Sequence, residues 1–86
     1  MLNKKEIEYN VMSLVSTWLF DAKDVSHFTL ILTNDNAETT IDCNSSEEVV
    51  SQLSSALINN SEKYTMATLV GVVGEKDKKF GELDII

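Results

Sequence analysis

The 86-residue chain has no arginine and no proline, a single cysteine, a single histidine and only three glycines. One cysteine cannot close an internal disulfide, which points to a reducing, cytoplasmic compartment. One thiol and one imidazole cannot build a zinc or iron site unless several carboxylates converge on them. Seven lysines stand against fourteen acidic residues, a net charge of −7. With that balance the chain lacks the basic footprint that releases counterions from DNA, RNA or anionic lipid. No apolar run comes near the ~18 residues that a membrane span needs, and Met1-Leu2-Asn3-Lys4-Lys5-Glu6 has no signal-peptide core. Neither nucleic acid nor membrane is expected as a direct partner.

The residues present read as one α+β domain over residues 1–86, with 43% of them hydrophobic. A chain this short buries about 60–65% of its unfolded surface. With no disulfide, metal cluster or proline to prop it, self-association is the remaining common aid, and a homodimer is expected.

Asn3 and Glu6 form a capping-box pattern ahead of apolar residues at Ile7, Val11, Leu14, Val15, Trp18 and Leu19, one face of a helix over 4–20. Met12 widens that stripe, and Tyr9 and Phe20 lie beyond its edge, so the helix is apolar around more of its circumference than a surface helix needs. Two period-2 runs follow, His27–Thr33 and Glu38–Cys43, with Asp35-Asn36 suited to a type I′ loop. That pairing sets Phe28 opposite Cys43, Leu30 opposite Ile41 and Leu32 opposite Thr39, an apolar face backed by a polar one; a one-residue slip would mix the two. Ser45 and Glu48 cap a second helix over 46–59, with Val49, Val50, Leu53, Ala56 and Leu57 inward and Asn59-Asn60 as its stop.

Residues 64–73 and 80–86 read as a second hairpin around Lys76-Asp77, with Met66, Thr68, Val70, Val72, Gly81, Leu83 and Ile85 inward. The order α-β-β-α-β-β is that of an α+β two-layer sandwich: a four-stranded, mainly antiparallel sheet with two helices on one face.

Candidate chemistry is thin. Cys43 falls on the core face and His27 on the opposite one, beside Asn44 and within reach of Asp42 or Asp24, so the two cannot form a nucleophile–base pair. Asn34–Glu38 is rich in oxygen but too short to encircle calcium, and lacks the glycine and bidentate glutamate of an EF-hand loop. Gly71-Val72-Val73-Gly74 has no lysine-serine or lysine-threonine ending and no following helix, as a phosphate loop requires; its glycines instead relieve crowding or form a bulge. The acid pairs Glu82/Asp84 and Glu47/Glu48 stand in no inferred cleft. No enzymatic activity, cofactor or metal is expected.

What remains is surface. The outer sheet face is expected to present Leu69, Val73, Phe80, Ile31 and Ile86 among the carboxylates Glu38, Asp42, Glu82 and Asp84, with Tyr9, Met12 and Phe20 exposed on the first helix. Contiguous apolar area with aromatic and methionine side chains marks an association site. The function these residues point to is that of a small acidic, non-enzymatic module. It would occupy another protein, a basic one that handles nucleic acid, as an inhibitor or accessory factor. The alternative is a homodimeric structural protein in which a second copy covers the sheet or the first helix; a small-ligand binder would need a deep pocket, of which the sequence gives no sign.

Overall fold

The computed structural model describes residues 3–59 and 63–85. Asn60 and Ile86, assigned above to the stop of the second helix and to the outer sheet face, lie outside the described residues. Helix α1 spans Lys4–Asp21, strands β1 and β2 span Phe28–Thr33 and Glu38–Cys43, helix α2 spans Ser46–Ile58, and strands β3 and β4 span Met66–Val73 and Lys76–Asp84. The strands form one antiparallel sheet in the order β2-β1-β3-β4. Both helices contribute to a single buried cluster with the inward strand residues. The two layers make a flat molecule, 40 × 29 × 17 Å.

Capping begins both helices as their sequences require. The Glu6 amide donates to Asn3 Oδ1 at 2.9 Å and the Glu48 amide to Ser45 Oγ at 3.1 Å. Glu48 Oε2 in turn accepts from the Asn44 amide at 3.2 Å, one residue earlier than the reciprocal bond of a capping box. Val11, Val15 and Leu19 of α1 and Val49, Val50 and Leu53 of α2 pack on Phe28, Leu30, Leu32, Ala67 and Leu69. Ser54 is buried with them, its hydroxyl donating to Val50 O at 2.7 Å, and among the described residues no buried side-chain nitrogen or oxygen lacks a partner. Leu14, expected inward, is exposed; the core takes Val11, Val15, Leu19 and Ala22, with Ile7 and Trp18 packed against it.

The β1–β2 register is the expected one throughout. Its turn is built differently. Neither Asp35 nor Asn36 has a positive φ, which a type I′ loop demands at both central positions. Instead Asn34 Oδ1 accepts from the amides of Asn36 and Ala37, both at 2.7 Å, an Asx-type closure that needs no left-handed residue.

The β3–β4 hairpin departs from its expected register. The chain reverses at Gly74-Glu75, two residues before the expected tip, with Gly74 at φ +68° in the first loop position, where glycine costs nothing. Pairing runs from Val73↔Lys76 to Val70↔Lys79, then resumes at Leu69↔Gly81. Phe80 is the extra residue of a β-bulge. Ala67, Leu69 and Gly71 therefore face the helices, while Met66, Thr68, Val70 and Val72 face outward, the reverse of the expectation for β3. For β4 beyond Phe80 the expected faces hold: Gly81 and Leu83 point inward. The bulge swings Phe80 toward the helix side, where a Cβ on Gly71 would stand 2.9 Å from its ring, and a Cβ on Gly81 would stand 2.1 Å from the indole of Trp18. Backbone without side chains is what lets these two rings close over the edge of the sheet.

Candidate interaction surface

Reactive groups are not brought together. Cys43 is fully buried, and burial, followed by the nearby carboxylates Glu48 and Asp42, pushes its thiol up to about 11. A thiol so placed is a small core hydrophobe rather than a nucleophile. On the opposite sheet face, His27 Nδ1 lies 3.3 Å from Asn44 Oδ1, and Nε2 lies 3.9 Å from Asp42. Among the described residues, no three His, Cys, Asp or Glu side chains cluster as metal ligands would. Among the described residues no helix is long and apolar enough to cross a membrane.

The outer sheet face carries the remaining pattern. Cross-strand partners align in three rows: Asp42–Thr29–Val70–Lys79, Thr40–Ile31–Thr68–Glu82 and Glu38–Thr33–Met66–Asp84. Every carboxylate in these rows belongs to an edge strand. Glu38 and Asp42 stand on β2, Glu82 and Asp84 on β4, and all four are exposed. The central strands β1 and β3 contribute only Thr29, Ile31, Thr33, Met66, Thr68 and Val70, each partly buried by its neighbours. With strands ~4.8 Å apart, the two acidic rails run about 14 Å from each other. An exposed ion pair joins Lys79 to Glu82 at 3.2 Å; such a pair holds its side chains loosely and exchanges readily for better partners.

Of the expected site residues, the four carboxylates lie together on the outer face. Leu69 does not: it is fully buried under the helices, because the bulge at Phe80 and the early turn at Gly74 invert the faces of β3. Phe80, by the same bulge, lies partly buried on the helix side with the Lys78 ammonium 5.2 Å over its ring. Val73 is exposed, but on the helix-side parity of a hairpin tip that projects beyond β1. Together with Val25, Val72 and Asp24 these residues line a shallow hollow separate from the outer face. Met66 and Val70 take their places outside. The signal for them was Gly74, the one glycine next to a chain reversal. Tyr9, Met12 and Phe20 are exposed on α1, remote from the outer sheet face because α1 packs on the other side of the sheet.

No protein-family model, curated protein or solved structure matches the chain.

Proposed function

We propose that this chain is a small, acidic, non-enzymatic protein-binding module. Its outer sheet face docks a basic protein of the kind that handles nucleic acid, and occupying that protein makes it an inhibitor or accessory factor. The observation that carries the reading is the sorting of charge on that face: four exposed carboxylates on the edge strands and none on the two strands between them. Rails that are each net acidic, the β4 rail even with Lys79 paired to Glu82, steer an oppositely charged surface during approach, and the Ile31, Met66 and Val70 strip gives the lasting contact. Acidity spread only for solubility needs no such sorting. The expected cytoplasmic setting belongs to the same proposal.

The test compares wild type with Glu82→Lys/Asp84→Lys as bait in host lysate, at low and high salt. A protein held by wild type and lost by the variant is then taken to association kinetics. The reading expects association to slow by at least about tenfold at low salt, and the difference to shrink as salt screens the rails. Equal rates for the two baits at low salt would reject it.

A further inference from the structure

We propose that the outward side of α1 is a self-association seam, on which two copies of this chain pair antiparallel about a two-fold axis. This goes beyond the docking reading and does not depend on it. At ~100° per residue, Lys5, Tyr9, Met12, Ser13, Ser16 and Phe20 form one continuous stripe, centred about 110° from the Val11–Val15–Leu19 line that enters the core, with Met12 at its near edge. Tyr9 is 74% exposed, Phe20 70% and Met12 43%, although large apolar side chains on a helix ordinarily turn inward. The stripe holds no carboxylate, in a chain of net charge −7. Along it a second copy can approach without setting acids against acids, whereas a basic partner finds nothing to attract it.

The order of side chains within the stripe is self-complementary. Ser13 and Ser16 lie at its middle, where small residues let two helices approach closely, and Ser16 Oγ already donates to Ser13 O at 3.0 Å, so covering Ser16 does not strand its hydroxyl. Tyr9 and Phe20 stand at equal distances on either side of the same midpoint, between Leu14 and Val15. An antiparallel copy therefore sets Tyr9 of one chain against Phe20 of the other, twice. Phe20 offers one free ring face, the other lying under the Lys23 ammonium at 5.3 Å. A two-fold contact of this kind closes on itself and does not propagate into fibres. It also leaves the outer sheet face of each copy uncovered, since α1 packs on the reverse side of the sheet.

Sedimentation velocity over a concentration series decides it, with Tyr9→Glu and Phe20→Glu as exposed-site variants and circular dichroism to verify their fold. Wild type is expected to sediment as a dimer at about 100 µM, in keeping with a modest interface, and each variant to weaken the dimer at least tenfold. The double variant Tyr9→Glu/Phe20→Lys sets opposite charges across both ends of an antiparallel pair, and it should regain affinity over either single glutamate variant. A wild type that stays monomeric at that concentration, a dimer indifferent to both single variants, or a double variant with no recovery would each overturn the proposal.

Discussion

The two hairpins use the same short strands and antiparallel pairing, yet their side chains report their faces very differently. In β1–β2 one parity is Phe28, Leu30, Leu32, Ile41 and Cys43 while the other is mostly threonine and acid, so burial has only one acceptable register. In β3 both parities are apolar: Met66, Val70 and Val72 on one side, Ala67, Leu69 and Val73 on the other. Alternation cannot then choose, and the decision passes to backbone features, a glycine at φ +68° and an extra residue at Phe80. A central strand buried on one face and half-buried on the other loses the period-2 signal.

That contrast can be broken or sharpened by substitution, the largest effect first. Leu69→Ala should cost about 3 kcal/mol of unfolding free energy, while Val70→Ala should cost under about 1 kcal/mol. Urea denaturation of both reads the face assignment directly, and equal losses would restore the opposite parity. Gly81→Ala forces the Trp18 ring to move and should cost about 2 kcal/mol, with a shift in tryptophan fluorescence.

At the turns, Gly74→Ala places a Cβ in the left-handed region and should cost about 1 kcal/mol. Asn34→Ala removes the acceptor of two turn amides and should cost a similar ~1 kcal/mol, by a different mechanism. Replacing Asp35-Asn36 by Asn-Gly would restore the sequence of a type I′ loop, and a stability gain there would show the Asx closure to be the weaker solution.

The thiol acts only in alkaline solution. Its ordinary value of 9.0 is pushed up to about 11 in the folded chain, so the folded state holds its proton longer than the unfolded one. Stability is therefore unaffected by this group below about pH 9 and falls as pH rises from there through 11, a decline that Cys43→Ala should abolish. Thiol labelling at neutral pH should likewise track unfolding.

How much could be read beforehand follows from these same residues. Both helices, their Asn3 and Ser45 caps, the β1–β2 register and the separation of His27 from Cys43 were legible, because each depends on a local pattern with one strong alternative. The four carboxylates of the outer face were legible because β2 alternates cleanly and β4 does so after its bulge. Strand order was not, since nothing local tells β1 that its second neighbour is β3. Leu69 and Phe80 were misplaced because β3 is apolar on both faces and so gives no sign of the bulge in β4 opposite it, and Leu14 because α1 is apolar on more sides than its neighbours can cover.

The central claim, that the acid-railed outer sheet face is where a basic partner docks, is tested most directly by mapping amide chemical shifts of the labelled chain during titration with that partner. The account predicts shifts confined to β1 and β3 at Thr29, Ile31, Met66, Thr68 and Val70 and to the flanking acids, absent in the Glu82→Lys/Asp84→Lys variant. Shifts gathered on α1, with the sheet unmoved, would contradict it.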